Sequence, residues 1–313
     1  VFDQDPDVAA RTASQHGIPQ VEDSLTDLLD RDDVDILDIA VPPWAQPEIA
    51  VAAAAAGKHL LCQKPLALGL AEARQVVSAV ESGGVKAAVN QQMRWDGAIK
   101  AARELIELGA VGEPMDIQFL ISVATPWGMW PWLAEAPRLE VVYHSIHYID
   151  AIRSLVGSPS HVTSVHGRDD RQDPVVGETR TMTVLEFGGS LQALIAVNHY
   201  NTHADPTALF RVLGTEGTLE GTIGLLYDYP AGRPDTLALH RADLSEPIHY
   251  PIDTMWIPDA FLGPMADLMD SVADDTEPFS SVADNLETLA VVEAAYRSAA
   301  QRRTIPLSEV LAP

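Results

Sequence analysis

Cysteine is nearly absent from this chain. Cys62 stands alone, which excludes an internal disulfide framework and a cysteine-rich zinc site, and it suits a reducing, cytoplasmic compartment. Basic charge is scarce too: Lys and Arg total 20 against 45 Asp and Glu, a formal net charge of −25. Such a balance offers no footprint for nucleic-acid phosphates or an anionic membrane. Only four of the basic residues are Lys, and the Asp-rich surface that results concerns solubility rather than chemistry. No apolar run reaches the roughly 18 residues of a membrane-spanning helix without meeting a charge or a breaker. An initiating Met is missing as well. The opening VFDQDP reads as the end of a strand and the start of a helix, without the charged and apolar regions of a signal peptide. The expectation is that an upstream segment precedes Val1.

What is present is globular: 313 residues, 47% hydrophobic, enough for two domains with sizeable cores. At first, helix and strand alternate. Asp5 to His16 reads as a helix stopped by Gly17, and Ser24 caps a second. VDILDIAV (34–41) is a β-branched apolar run ended by Pro42-Pro43, as a buried parallel strand requires. An Ala-rich helix runs to Gly57, followed by strand 59–63, helix 69–82, strand 85–90 and helix 95–108. This rhythm predicts right-handed βαβ units and a doubly wound, Rossmann-like parallel sheet over 1–112, truncated at its N-terminal side. After Gly112 come alternating stretches at 115–123, 161–167, 179–187 and 190–200, then ALFRVLG and TLEGTIG joined by Thr215-Glu216-Gly217. They predict an α+β domain over 113–313 with a large, open, mainly antiparallel sheet and one helix near 140–155. Helices at 259–274 and 282–302 close the chain and are expected to pack back near the domain junction. In the second, Leu289, Val292, Tyr296 and Ala299 form a core-facing stripe.

The stretch AVPPWAQPEIAVAAAAAGKHLLCQKPLAL (40–68) is the most informative. Ligands of doubly wound sheets sit outside the carboxyl ends of the strands. One strand here ends in Pro42-Pro43 and the next in Gln63-Lys64-Pro65, so Lys64 faces the crevice and Pro65 stiffens the turn that presents it. The plain alternative is a surface Lys ahead of a helix. On the helix near 140–155, His144 and His147 lie three residues apart and share one face. They are open to reading as satisfied core histidines, as acid–base groups, or as two ligands of a metal site that needs a third; no metal is expected. The insert ATPWGMWPWLAEAPR packs Trp127, Trp130 and Trp132 into six residues. Tryptophan faces stack on the apolar faces of sugar rings, and a plug between domains or an oligomer contact is equally open.

GKHLLCQKPLAL resembles the GKHVLCEKPLA signature of the Gfo/Idh/MocA family of NAD(P)-dependent sugar and polyol oxidoreductases. DIAVPPWAQPEIA is similar to that family's ATPNxxHxEIA, GTEGTLEG to its sheet turn, and AVVEAAYRSAAQRRTIPL to its last helix. The likeness thus runs over essentially all 313 residues. Family members open with a strand, a glycine-rich phosphate turn and a helix that this sequence lacks; VFDQDP matches the end of their second strand. A chain starting there lacks the backbone N–H cradle for pyrophosphate and is expected to bind the dinucleotide poorly or not at all.

The resemblance implies NAD as cofactor, with NADP open. Its contacts would come from Asp3, matching the acidic residue that receives the adenosine ribose, and from Val41, Pro42, Pro43, Gln46, Gln63, Lys64, Asn90 and Gln91. A helix-capping role beside Asp5 is the alternative for Asp3. Against the family's DxGxHxxD, His147 matches the His beside the carbon that undergoes hydride transfer, and Asp150 matches the following acid, which supports the helix. Lys64 and His147 are therefore the implied catalytic pair. Tyr143 replaces the family's first Asp, leaving Tyr143 or His144 to take over part of its role. Gln63 replaces the Glu of EKP, so Lys64 loses a neighbouring negative charge. Substrate contacts are implied for Lys64, Arg94, Trp127, Trp130, His144, His147 and His199, with a salt bridge the alternative for Arg94.

The expected activity is hydride transfer between NAD(P) and a secondary alcohol or ketone of a sugar, polyol or inositol-like ring. His147 would remove the hydroxyl proton while Lys64 polarises the oxygen. Two other readings stay open: a dinucleotide-binding sensor without turnover, and a metal-dependent sugar hydrolase or isomerase using His144 and His147. The expected partners are a small carbohydrate or polyol and further copies of the chain, in a homodimer or homotetramer built on the open sheet.

Overall fold

The computed structural model describes residues 1–172 and 175–312. Its first part carries a three-stranded parallel sheet, β1 (Ile36–Ile39), β2 (His59–Cys62) and β3 (Ala87–Val89), in that spatial order. Asp5 starts α1 (Pro6–His16) by accepting from Asp7 and Val8 N–H, and Gly17 ends it at φ 66°. Ser24 caps α2 (Leu25–Leu29) through Asp27 N–H. Helices α3 (Gln46–Ala55) and α4 (Leu70–Gly83) follow β1 and β2, and α5 (Gly97–Glu107) follows β3. Ala50, Ala53, Ala54 and Ala73 are fully buried, which lets α3 and α4 approach one another and the sheet closely. One expectation fails locally: Val1–Asp3 is not strand. Its backbone bonds instead to the loop before α2, Val1 N to Gln20 O and Glu22 N to Val1 O.

The second part is a nine-stranded sheet in the order β11-β10-β9-β8-β4-β7-β6-β5-β12. Its members are β4 (Pro114–Ser122), β5 (His161–Gly167), β6 (Arg180–Glu186), β7 (Gln192–Asn198), β8 (Thr207–Gly214), β9 (Gly217–Thr222), β10 (Thr236–Arg241), β11 (Ile248–Tyr250) and β12 (Ile305–Pro306). Pairing is antiparallel throughout except between β4 and β7. A short α6 (Pro131–Ala134) lies in the Trp-rich insert. A π-turn at Val141–Ser145 then runs directly into α7 (Ile146–Val156). Helix α7 lies on the inner sheet face: Tyr148 stacks on Phe119 of β4 at 5.3 Å, and Phe119 stacks in turn on Phe210 of β8 at 5.7 Å.

The chain closes with α8 (Leu262–Asp274), α9 (Val282–Gln301) and α10 (Leu307–Leu311). Helix α8 returns to the first sheet, where Leu268 packs with Leu61 of β2 and Ala88 of β3. Gly263 makes this close approach possible, since a Cβ there would lie 2.1 Å from the Trp95 ring. Ser280 continues the sheet edge: Val89 N donates to Ser280 O, and Ser280 Oγ donates to Val89 O. Among the described residues no helix is long and apolar enough to cross a membrane.

A buried ion network joins the two parts. Arg94, just beyond β3, donates to both Asp150 oxygens on α7 at 2.7 and 2.8 Å, to Asp284 on α9, and to Phe279 O. Arg153 of α7 also donates to Asp284, and to Thr288. Removing one partner of such a pair leaves an uncompensated charge in the interior, worth about 3–5 kcal/mol, whereas exposed pairs contribute ~1 kcal/mol or less. Arg94→Met should lower unfolding stability by about 3–5 kcal/mol in urea titrations. Arg211→Met, which breaks the half-exposed pair with Glu220, should change it by ~1 kcal/mol at most.

Candidate active site

The three parallel strands end in register, Ile39 opposite Cys62 and Cys62 opposite Val89. Two residues further on lie Val41, Lys64 and Gln91, at the carboxyl edge where such sheets bind ligands. Asn90 Oδ1 and both amide atoms of Gln91 are buried there without a hydrogen-bond partner. Orphaned buried polar atoms are rare and costly, so this edge is built to receive a polar ligand. A nicotinamide dinucleotide fits that donor and acceptor set. Pro42, Pro43 and Gln63 lie on the same turns, and Gln63 Oε1 receives Lys64 N–H at 3.1 Å. Asp3 is exposed, and its Oδ1 receives Asp5 N–H at 2.8 Å.

Gln46 has a structural part at this edge. Its amide is fully buried and entirely committed to the Lys64 turn: Nε2 donates to the carbonyls of Gln63, Pro65 and Leu66, and Oε1 receives Gln63 N–H at 2.7 Å. It holds the loop that presents Lys64, spending its N–H groups and one acceptor site on that backbone. For Arg94 the structure shows the salt-bridge alternative. Its guanidinium is 3% exposed and spent on Asp150, Asp284 and Phe279 O, so it clamps the fold and offers nothing to a substrate.

Lys64 reaches across the junction and donates from Nζ to the backbone carbonyl of Tyr143 at 2.6 Å. Residue 143 thus contributes through its main chain, in a π-turn where the regular helical ladder is interrupted. Its ring, raised in pKa by burial, packs edge-on to Trp132. Burial depresses the Lys64 ammonium to about 8 from its usual 10.5. His144 and His147 are both held well below the ordinary imidazole range. Burial is the main cause for each, followed by His199 and Lys64 for His144, and by Lys64 and His144 for His147. The two rings are therefore neutral near pH 7 and able to accept a proton, and the Nδ1 of each is buried without a partner.

Aromatic side chains wall this group. Trp127 stands edge-on to His144 and His199, each at 5.4 Å, and its Nε1 is buried and unpartnered. The His144 and His199 rings are 4.5 Å apart, and Trp256 packs edge-on against His147 at 4.8 Å. Trp130 turns towards Tyr229 at 5.9 Å, while Trp132 meets Trp44 of the first part at 5.6 Å. The structure therefore brings together Lys64, Tyr143, His144, His147, His199 and Trp127. Sequence reasoning missed Trp256, which sits in no motif, Trp44, which was passed over within DIAVPPWAQPEIA, and Glu140, which directly precedes the π-turn. Among the described residues no three His, Cys, Asp or Glu side chains are grouped to hold a metal ion.

The depressed Lys64 value has a direct check. Between pH about 8 and 10.5 the unfolded chain holds more protons at this residue than the folded one, so its contribution makes stability rise with pH across that window and stay flat below it. With the four lysines reductively ¹³C-methylated, one NMR resonance should titrate near pH 8 and be missing in Lys64→Arg. Titration of all four resonances near 10.5 would contradict the burial of this ammonium.

Two family models cover most of the chain. One, described as oxidoreductase family, NAD-binding Rossmann fold, matches residues 1–91; the other, oxidoreductase family, C-terminal alpha/beta domain, matches 103–307. D-apiose dehydrogenase from Rhizobium rhizogenes is 28% identical over 99% of this chain and 90% of its own length. 1,5-Anhydro-D-fructose reductase from Ensifer adhaerens is 27% identical over 75% of this chain and 69% of its own. An oxidoreductase from Agrobacterium radiobacter, solved with NAD+, L-tartaric acid and magnesium, superposes with a TM-score of 0.88 at 25% identity, over 99% of this chain and 91% of that one. The crevice at the strand ends, the lysine beyond β2 and the histidines of α7 thus lie in a chain that belongs to the Gfo/Idh/MocA family of oxidoreductases.

Proposed function

We propose that this protein is an NAD(P)-linked dehydrogenase acting on a secondary alcohol, or the matching ketone, of a sugar or polyol. One observation carries the reading: Lys64 at the carboxyl edge of the parallel sheet stands beside two neutral, partly unpartnered histidines, His144 and His147. Nicotinamide supplies the hydride acceptor or donor when the dinucleotide is bound. Val41, Pro42, Pro43, Gln63, Asn90 and Gln91 would hold it, with Asp3 at the adenosine end favouring NAD. The chain's own residues handle the proton. His147 takes it from the reacting hydroxyl, and the Lys64 ammonium, fixed by the Tyr143 carbonyl, donates to the oxygen as negative charge builds there. Trp127 and Trp256 cover the apolar face of the ring and keep water out. The apiose dehydrogenase and anhydrofructose reductase among its relatives favour a neutral sugar.

The outer sheet face supports a further part of the reading. Val165 and Met182 lie opposite one another on β5 and β6, 67% and 66% exposed, and the row continues through Ala196 of β7 and Leu120 of β4. A second copy of the chain would cover this stripe. Light scattering should then report a dimer or tetramer that Met182→Lys weakens towards monomer; a monomeric wild type would refute it.

Thermal unfolding of the protein with and without millimolar NAD or NADP tests the cofactor. Ligand at a hundredfold excess over Kd adds about 2.7 kcal/mol, a shift of several degrees. His147→Asn and Lys64→Met should each lower kcat on the accepted sugar by about 10²- to 10⁴-fold while leaving that thermal shift in place. Loss of the shift together with the activity would reassign both residues to cofactor binding.

A further inference from the structure

Glu140 precedes the π-turn with its side chain fully buried. Ser145 Oγ donates to its Oε1 and Thr181 Oγ1 to its Oε2, each at 2.5 Å. Two hydroxyls solvate a carboxylate but do not neutralise it, and an ionised carboxylate in the interior requires a cation or a polarisable proton nearby. Among the described residues the one basic group within 4 Å is His199, whose Nε2 lies 3.8 Å from Oε1. The other nitrogen of that ring, Nδ1, is 2.6 Å from Thr125 Oγ1. A hydroxyl that donates to Nδ1 leaves the proton on Nε2, which is buried without a hydrogen-bond partner and faces the carboxylate at 3.8 Å. The opposite side of His199 meets His144 at 4.5 Å, and His144 in turn faces Lys64.

Resting on the dehydrogenase reading, we infer that Glu140 is a positioning residue of the reaction, acting through His199. It offsets the positive charge that the histidine cluster gains when a ring takes the proton of the substrate hydroxyl. Among the described residues no other carboxylate lies within 4 Å of a ring in this cluster, Lys64 opposes the charge, and His144 and His147 are desolvated. The balance is simple. The O–H bond of the alcohol breaks, an N–H bond forms on an imidazole of the cluster, and no proton is passed on to Glu140. Other elements also present groups to this carboxylate: Tyr148 of α7, His166 of β5 and Tyr296 of α9. Tyr296 is already bonded to Glu178 and stacked under Arg138, whose charge is in turn paired with Glu293.

Glu140→Gln keeps the size and a hydrogen-bonding group but deletes the charge. An imidazolium near the site then becomes harder to form. The acid limb of the kcat/KM profile for sugar oxidation should therefore move to lower pH, while the plateau falls at least tenfold. Thr181→Val, which removes a hydrogen bond but no charge, should leave the limb where it is. A fall in rate with the limb unmoved in Glu140→Gln would mean a structural role only and would overturn the inference. Ring ¹⁵N spectra of His199 at neutral pH, recorded without substrate, read the same arrangement independently. A proton on Nε2 supports it, and a proton on Nδ1 overturns it whatever the kinetics. If the wild type itself oxidises no sugar or polyol, the dehydrogenase reading fails and takes this role with it; a variant-specific defect fails or supports the role alone.

Discussion

The guanidinium of Arg94 is the constraint on which the active-site geometry rests. A charge this deep in the interior loses its hydration, a penalty of several kcal/mol that only complete pairing offsets. Complete pairing needs Asp150 from α7, Asp284 from α9 and the Phe279 carbonyl at once, so three sequence-distant segments must meet just beyond β3. Asp150 is three residues past His147, less than one turn of the same helix. Wherever Arg94 fixes the carboxylate, the imidazole is fixed too. Gln46 does the equivalent for Lys64, spending its whole amide on the backbone of the loop that carries it. Neither Arg94 nor Gln46 is placed to touch a reacting atom, yet the separation of Lys64 from His147 is set by both.

The second theme is the management of charge in a site that excludes water. Desolvation pulls Lys64 and both histidines towards their neutral forms, which is the condition for exchanging protons near neutral pH rather than holding them. The π-turn makes this arrangement possible. By interrupting the helical ladder it turns the Tyr143 carbonyl to the ammonium, and it sets Ser145 against Glu140, five residues away, where regular helical spacing would have failed to bring them together.

Much of the fold was legible because its signals are local. Apolar β-branched runs bounded by Pro and Gly mark β1 and β2, and alternation marks β4 to β9 to within a few residues. The first strand expectation, at Val1–Asp3, fails because extended conformation needs a partner strand and a hexapeptide cannot show one. Strands β10 and β11 escaped notice for a related reason: a short TLALHR and an even shorter IHY owe their state to the neighbours they pair with. In the site, Lys64 and His147 were found through their motifs. The structural parts of Arg94 and Gln46 could not be told from ligand contacts because a side chain rich in donors near a strand end looks the same whether its partner is a ligand or residue 150, 284 or 66. Glu140 was invisible because an i, i+5 relation belongs to neither the helical nor the strand period.

The return of α8 to the first sheet has a consequence for synthesis. Leu61 and Ala88 present one face of the parallel sheet to Leu268, and Ser280 completes the edge beyond β3. On the ribosome those partners emerge only after β4 to β11 have been translated. One face of the parallel sheet therefore lacks its α8 cover through most of elongation. Late cover by a distant segment makes the nascent first half a stage at which chaperone protection matters.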